Sequence, residues 1–206
     1  MKAAILVGGY GTRMRPLTYV VPKCMLPIGG EPLIQRTLKY LKGYGIEEFV
    51  LCVAYLKKQI IDYLGNGSRL GVRIDYAETE FPLGTGGQLK VAERFIGDTF
   101  LAMNGDIVTS LNIANLINAH DTKSAFATLA LKRFEVKIPY GYIDLGGDSR
   151  ITDFQEKPTL RYTANAGVYI LDSEIFDSMP SNKLYSLETD VFPSLIKTGK
   201  ELHGYY

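Results

Sequence analysis

Arg13, Arg15 and Lys23 share one stretch of chain that holds no carboxylate between Gly8 and Gly30. Gly8, Gly9 and Gly11 open that stretch, where a backbone without Cβ atoms can approach a ligand closely. Pro16, Pro22 and Pro27 stiffen it. Cations without internal counter-ions on a stiff, glycine-opened loop suit a phosphate or another dense anion. The alternative reading is a solvated surface loop whose charges pair elsewhere. Two common phosphate patterns are excluded. The dinucleotide pattern needs a third glycine where Gly9-Tyr10-Gly11-Thr12-Arg13-Met14 has Met14, and the chain contains no Gly-Lys-Ser or Gly-Lys-Thr run.

Three further stretches could carry chemistry. Asn104-Gly105-Asp106 follows an apolar run. Its lone aspartate suits Mg²⁺, which takes one or two carboxylates and fills its remaining positions with phosphate oxygens and water. The same tripeptide also suits an ordinary turn. Leu83-Gly84-Thr85-Gly86-Gly87 leads into a helix, so it either offers backbone amides to a ligand or is a glycine-rich turn with a threonine cap. Glu156-Lys157-Pro158 sets opposite charges side by side just past a strand, with the proline expected to keep Lys157 extended. A solvated strand end is the other reading. Cys24, Cys52, His120 and His203 are too few and too scattered for a cysteine–base pair or a histidine zinc site.

The elements that must position these residues can be read from periodicity. Ala3 to Val7 is a buried strand. Ile34, Thr37, Leu38 and Leu41 mark one face of a helix that begins at Pro32 and ends at Gly43 and Gly45. Phe49 to Val53 reads as a strand, Lys57 to Leu64 as a helix and Val72 to Tyr76 as a strand. The loop from Thr79 to Gly87 leads into a helix through Leu89, Ala92 and Ile96. Thr99 to Met103 is a strand, and Asn112 to His120 a helix. This alternation predicts an open, mostly parallel α/β sheet with helices on both faces. Ligands of such sheets bind beyond the strands' carboxyl ends, where the loops 8–23, 79–88 and 104–106 fall.

The second half is expected to be more antiparallel. Its strands are 125–131, 141–145, 151–155 and 166–171, followed by helices near 173–178 and 186–197. With 206 residues and no linker or repeat, the chain reads as one domain, 1–206. A nucleotide-binding half covers about 1–121 and a second half about 122–206. The net charge of +1 gives no reason to expect nucleic acid as a partner, and no apolar run is long enough to span a bilayer. Two cysteines without an export signal predict reduced thiols and a cytoplasmic setting.

The first loop resembles the signature of the sugar-phosphate nucleotidyltransferases. That signature runs Gly-Gly-x-Gly-Thr-Arg, Pro-Leu-Thr, Pro-Lys and a further proline. Here it stands as Gly8-Gly9-Tyr10-Gly11-Thr12-Arg13, Pro16-Leu17-Thr18, Pro22-Lys23 and Pro27. The resemblance extends in order to Pro193. It implies a single-domain, Rossmann-like nucleotide-diphospho-sugar transferase fold. The implied reaction joins a nucleoside triphosphate and a sugar-1-phosphate into a nucleotide-sugar and pyrophosphate.

Residue by residue, the resemblance implies that Gly8, Gly9, Gly11, Thr12, Gly84, Thr85 and Gly86 bind the nucleotide. Arg13 and Lys23 would be the catalytic cations, and Asp106 the Mg²⁺ ligand. Gly141, Glu156, Lys157 and Asn165 would hold the sugar phosphate, with Glu188 and Asp190 near the same site. The resembled enzymes add a second metal-binding aspartate after an aromatic segment like Gly204-Tyr205-Tyr206, where this sequence ends. Gln88 departs from the small residue common at its place. The loop 82–87 looks most like guanylyltransferases acting on mannose- or heptose-1-phosphate. Uridylyl- and thymidylyltransferases acting on glucose-1-phosphate share much of it, and a non-catalytic nucleotide-sugar sensor is a further reading. A homo-oligomer is left open.

Overall fold

Ala3, Ala4 and Ile5 are wholly shielded from solvent because their strand lies inside a seven-stranded sheet. The computed structural model describes residues Met1–Tyr206. The first half contains β1 (Lys2–Leu6), β2 (Pro27–Ile28), β3 (Glu31–Pro32), α1 (Leu33–Lys42), β4 (Glu48–Val53), α2 (Lys57–Leu64), β5 (Arg73–Glu78), α3 (Gly84–Ala92), β6 (Phe100–Asn104) and α4 (Ile113–Lys123). The second half contains β7 (Ala127–Lys137), β8 (Tyr142–Leu145), β9 (Ile151–Gln155), β10 (Thr159–Leu171), α5 (Phe192–Lys197) and β11 (Leu202–Tyr205). The sheet order is β11-β7-β10-β6-β1-β4-β5, and every strand except β10 runs the same way. No helix is long and apolar enough to cross a membrane.

The period-2 alternation of a strand sorts its side chains between two cores. Ala3, Ile5 and Val7 meet α1, α2 and α4 on one face, through Ile34, Leu38, Leu41, Ile60, Leu64, Ile113 and Leu116. Ala4 and Leu6 meet α3 and α5 on the other, through Leu89, Ala92, Phe192 and Leu195. Burial on both faces is why the early strands read as continuous apolar runs.

Several sequence expectations need correction. Pro32 caps α1 instead of starting it. Gly84 to Gly87 form the first turn of α3 and not the end of a loop. The segment 173–178 is a 3-10 helix, and 186–197 begins with a π-helical turn, Leu187–Val191. Strands β7 and β10 run far past 131 and start well before 166. Their outer parts pair with each other from Thr159↔Lys137 to Asn165↔Leu131 as a mostly exposed arm. Polar residues on exposed strands give no burial pattern to read. β11, with its short run and glycine, was not expected, and it adds an edge parallel to β7. Lys157 is not extended: the chain passes from the β8–β9 hairpin back to the main sheet across Glu156–Pro158, and that turn sets its φ at 46°.

The start of α3 depends on close approach. A Cβ on Gly87 would lie 2.4 Å from the Lys183 carbonyl oxygen and 2.7 Å from Leu83 Cβ. Gly87→Ala should therefore lose about 1–3 kcal/mol of stability despite alanine's better helix propensity. Gly97→Ala, where a Cβ meets nothing within 4 Å, should stay within about 0.5 kcal/mol of wild type. Urea unfolding of the two variants checks this, and equal midpoints would refute the packing argument.

Candidate active site

From β1 the sheet grows through β4 and β5 on one side, and then the chain places β6 on β1's other side. The strand order reverses between β1 and β6, and a crevice opens at the carboxyl ends of strands that diverge in this way. A cleft of about 360 Å³ lies there. Its lining brings together Gly9, Gly11, Thr12, Arg13 and Lys23 from the first loop, Gly84, Thr85 and Gln88 from α3, and Asn104, Gly105 and Asp106 from the end of β6. Gly105 lets the two strand ends close: its N–H donates to the Leu6 carbonyl at 2.9 Å, and a Cβ there would lie 2.2 Å from Val7 Cγ1.

The long first loop is fastened instead of floating. Gly11 adopts φ 63°, and its carbonyl accepts a 2.8 Å hydrogen bond from the buried Thr18 hydroxyl. Tyr55 donates to the Thr18 carbonyl at 3.0 Å, and Gln59 Nε2 donates to the Val20 carbonyl at 2.9 Å. Short 3-10 turns at Thr12–Met14 and Lys23–Met25 then project Arg13 and Lys23 to the cleft. Lys23 forms an ion pair with Asp106, while Arg13 pairs with no carboxylate. Arg15 instead lies over the Tyr19 ring, 4.8 Å from its centroid. Cys24 also reaches the cleft, but burial, with Asp106 adding to it, pushes its thiol up to about 12. It is a thiol near neutral pH and not a nucleophilic thiolate.

The glycines of α3 have two different neighbours. Gly84 lines the cleft in a left-handed conformation, φ 73°, with the Tyr185 carbonyl against its back. Gly86 faces away from the cleft, its N–H donating to the Tyr185 carbonyl at 3.1 Å. Gly8 lies beneath the Gln88 side chain. Of the residues expected at a nucleotide, Gly9, Gly11, Thr12, Gly84 and Thr85 thus share the cleft lining, and Gly8 and Gly86 do not.

Thr85 begins a chain of hydrogen bonds, running through the buried Tyr169, that the sequence did not reveal. Its hydroxyl donates to Glu188 Oε2 at 2.6 Å and accepts from the Leu187 N–H at 2.9 Å. Glu188 Oε1 accepts from the Tyr169 hydroxyl at 3.0 Å, and that hydroxyl accepts from Asn165 Nδ2 at 2.7 Å. Asn165 Oδ1 in turn accepts from Gly167 N–H at 2.9 Å within a bulge of β10. Gly167 packs on Asn104: a Cβ there would lie 2.9 Å from Asn104 Nδ2. The chain therefore joins the α3 side of the cleft to the β10 bulge. Asp190 plays a local part, accepting from the Ser186 N–H at 2.7 Å.

The remaining expected residues sit on the arm. Gly141 and Glu156 are neighbours, with Glu156 Oε2 3.2 Å from where a Gly141 Cβ would be. Lys157 is exposed, 3.8 Å from Glu156, and neither lines the cleft.

The groups around Asp106 decide what metal it could hold. No group of three or more His, Cys, Asp or Glu side chains converges in the chain. Beside Asp106 the cleft wall offers Asn104, whose buried Oδ1 has no hydrogen-bond partner. One half-exposed carboxylate and one spare amide oxygen do not cage a cation. They do fit Mg²⁺ that arrives with phosphate oxygens and keeps water. Cations, one carboxylate and no thiolate or histidine base make a cleft suited to binding and aligning phosphates.

The fold and this cleft define an open α/β protein with an anion-binding crevice at the sheet's switch point. The nucleotidyl transferase family model matches residues 2–205, and the chain belongs to this family. It is 36% identical, over 98% of its length, to mannose-1-phosphate guanylyltransferase of Mycobacterium tuberculosis, of which it covers 58%. It is 35% identical, over 97% of its length, to UTP--glucose-1-phosphate uridylyltransferase of Synechocystis, of which it covers 56%. The chain thus spans little more than half of these curated relatives. HddC from Yersinia pseudotuberculosis, solved in complex with GMP-PN, superimposes with a TM-score of 0.76 at 27% identity, over 99% of this chain and 89% of that one.

Glu188 makes this hydrogen-bonded chain sensitive to acid. Burial works against its ionisation, but donors from Ser186, Thr85, its own backbone and Tyr169 outweigh this and hold the carboxyl below 4.5. A carboxyl depressed by folding adds stability that is complete above its unfolded value and lost as pH falls through the folded one. Glu188→Gln should therefore be less stable than wild type at neutral pH, and the gap should shrink as pH drops below about 4.3. Urea midpoints of both proteins across that range check it; a gap independent of pH would refute it.

Proposed function

We propose that this chain carries the catalytic domain of a sugar-1-phosphate nucleotidyltransferase, with a guanylyl transfer to mannose-1-phosphate as the first candidate. A phosphate oxygen of the sugar-1-phosphate attacks the α-phosphorus of a nucleoside triphosphate. The new P–O bond forms as the bond to the β-phosphate's bridging oxygen breaks, and pyrophosphate leaves with that electron pair. The nucleophile is already an anion near neutral pH, so the absence of a histidine or thiolate base from the cleft is no obstacle. The barrier lies in bringing two phosphate groups together, and positioned cations lower it.

One observation carries this reading: Arg13 and Lys23 from the first loop and Asp106 from beyond β6 line one cleft at the switch point. Arg13 has no protein counter-ion and would take the triphosphate directly. Lys23 would exchange Asp106 for phosphate. Mg²⁺ held by Asp106 would supply charge neutralisation between the two phosphates when bound. The first half of the chain, about 1–121, serves the nucleotide. The second, about 122–206, serves the sugar phosphate through Asn165 and the arm residues Gly141, Glu156 and Lys157. Relatives named for mannose-1-phosphate and glucose-1-phosphate support that substrate class. The free, buried Cys24 and Cys52 support a reducing, cytoplasmic setting.

The test is pyrophosphate release with Mg²⁺, each of the common nucleoside triphosphates, and mannose- or glucose-1-phosphate. Wild type should release pyrophosphate only when both substrates are present. Arg13→Ala and Lys23→Ala should each reduce turnover by on the order of 10²–10³. Nucleotide-sugar binding without any pyrophosphate release would favour the sensor reading, and Arg13→Ala activity within a few-fold of wild type would remove that residue's role.

A further inference from the structure

Gln88 sits on α3, with only 5% of its surface exposed. It lines the cleft, yet its carboxamide makes no hydrogen bond to any protein group. Although little of the residue is exposed, its amide atoms are not sealed off, so within the cleft they are open to water or to a ligand's polar edge. The amide packs on Gly8 with its Nε2 end nearest: a Cβ there would be 1.9 Å from Nε2, 2.6 Å from Cδ and 2.9 Å from Oε1. Packing thus fixes the group's place while leaving its polar edge unpaired.

The cleft's charge distribution says what could pair with it. Arg13, Lys23 and Asp106 are the charged lining residues. Pro82, Gly84, Thr85 and Gln88, on or just before α3, carry no charge. A triphosphate drawn to the cations places its base on the neutral side. There the Thr85 hydroxyl is already engaged with Glu188 and Leu187, so Gln88 is the amide left to bond.

We propose that Gln88 reads the nucleobase, donating to a ring carbonyl and accepting from the ring N–H beside it. This rests on the nucleotidyl-transfer reading above and deepens it. Guanine, uracil and thymine present that paired edge, and guanylyl and uridylyl enzymes are among the relatives. Family resemblance implies that the base is read mainly by backbone; Gln88 adds a side-chain contact where a small residue is common.

The experiment measures binding of GTP, UTP, dTTP, ATP, CTP and inorganic tripolyphosphate in Mg²⁺ by titration calorimetry. Gln88→Met keeps the side chain's length and its packing on Gly8 but removes both hydrogen bonds. It should narrow the affinity spread between the best and worst triphosphates by about 10- to 100-fold and leave tripolyphosphate binding within about two-fold of wild type. Gln88→Glu, which only accepts, should favour GTP over UTP and dTTP, because guanine alone among these offers two adjacent donors. An unchanged spread in a folded Gln88→Met protein overturns the proposal. So does an equal loss of tripolyphosphate, which would make Gln88 a support for the first loop, and so does no shift toward GTP in Gln88→Glu. Because these are binding readouts, they stand apart from transfer chemistry. Wild type that discriminates among bases but releases no pyrophosphate sinks the transferase reading and leaves Gln88's role intact.

Discussion

The parallel pairing of β1 with β6 is the constraint on which the rest depends. Leu6 pairs with Asn104, so the residues that follow each strand emerge side by side, one strand spacing apart. Everything polar in the cleft is anchored to those two exits. The first loop leaves β1 at Val7, and Asp106 stands two residues beyond β6. A register slip of one residue would turn Ala3 and Ile5 from one core to the other and carry Asp106 off the cleft. Burial of β1 on both faces makes such a slip very costly, so the sheet core and the site geometry are specified together. Gly105 is where the two requirements meet, because any larger residue would drive Val7 out of the core.

Lys23 and Asp106 form the ion pair of the cleft. Each is the other's counter-ion across two exits of the sheet. Both are more than a third exposed, and ion pairs of that kind contribute only about 0–1 kcal/mol. The pair is thus strong enough to orient two side chains and weak enough to open. In the proposed reaction, a triphosphate with its divalent cation would offer each partner a better match, a phosphate for the ammonium and a metal for the carboxylate. Arg13, which has no protein counter-ion, leaves the cleft with a net positive charge.

What the sequence made legible follows from where its residues are buried. The first-half strands and helices were readable because burial on both sheet faces writes unbroken apolar runs, and helices on those faces write a 3.6 period. The first loop stood out because its glycines, prolines and cations share a stretch without carboxylates, although Lys23 finds its counter-ion in Asp106, 83 positions away. The arm was not, since residues such as Lys132, Arg133, Glu135 and Arg161 face water and obey no period. The glycines of α3 misled differently. Gly86 and Gly87 lack Cβ atoms to admit the 183–186 segment, and backbone-to-backbone packing looks in sequence the same as room for a ligand. Lys157's positive φ came from the need to turn between two sheets, which a dipeptide rule about proline does not contain.

The Thr85–Glu188–Tyr169–Asn165 chain was invisible for a related reason: its members are scattered over more than a hundred positions, and each has an ordinary local explanation. Together they have a meaning none has alone. Thr85 faces the neutral side of the cleft, and Asn165 sits on the bulge that packs Gly167 against Asn104 beside Asp106. Burial pushes the Tyr169 phenol up, so it remains a proton donor to the ionised Glu188. With Tyr169 buried at its centre and each side chain hydrogen-bonded to the next, the network acts as a strut between its ends. It fixes the distance between the α3 wall and the β10 wall. That distance matters for any reaction in which two phosphates must meet in line, because an error on the order of 1 Å in alignment is costly in rate.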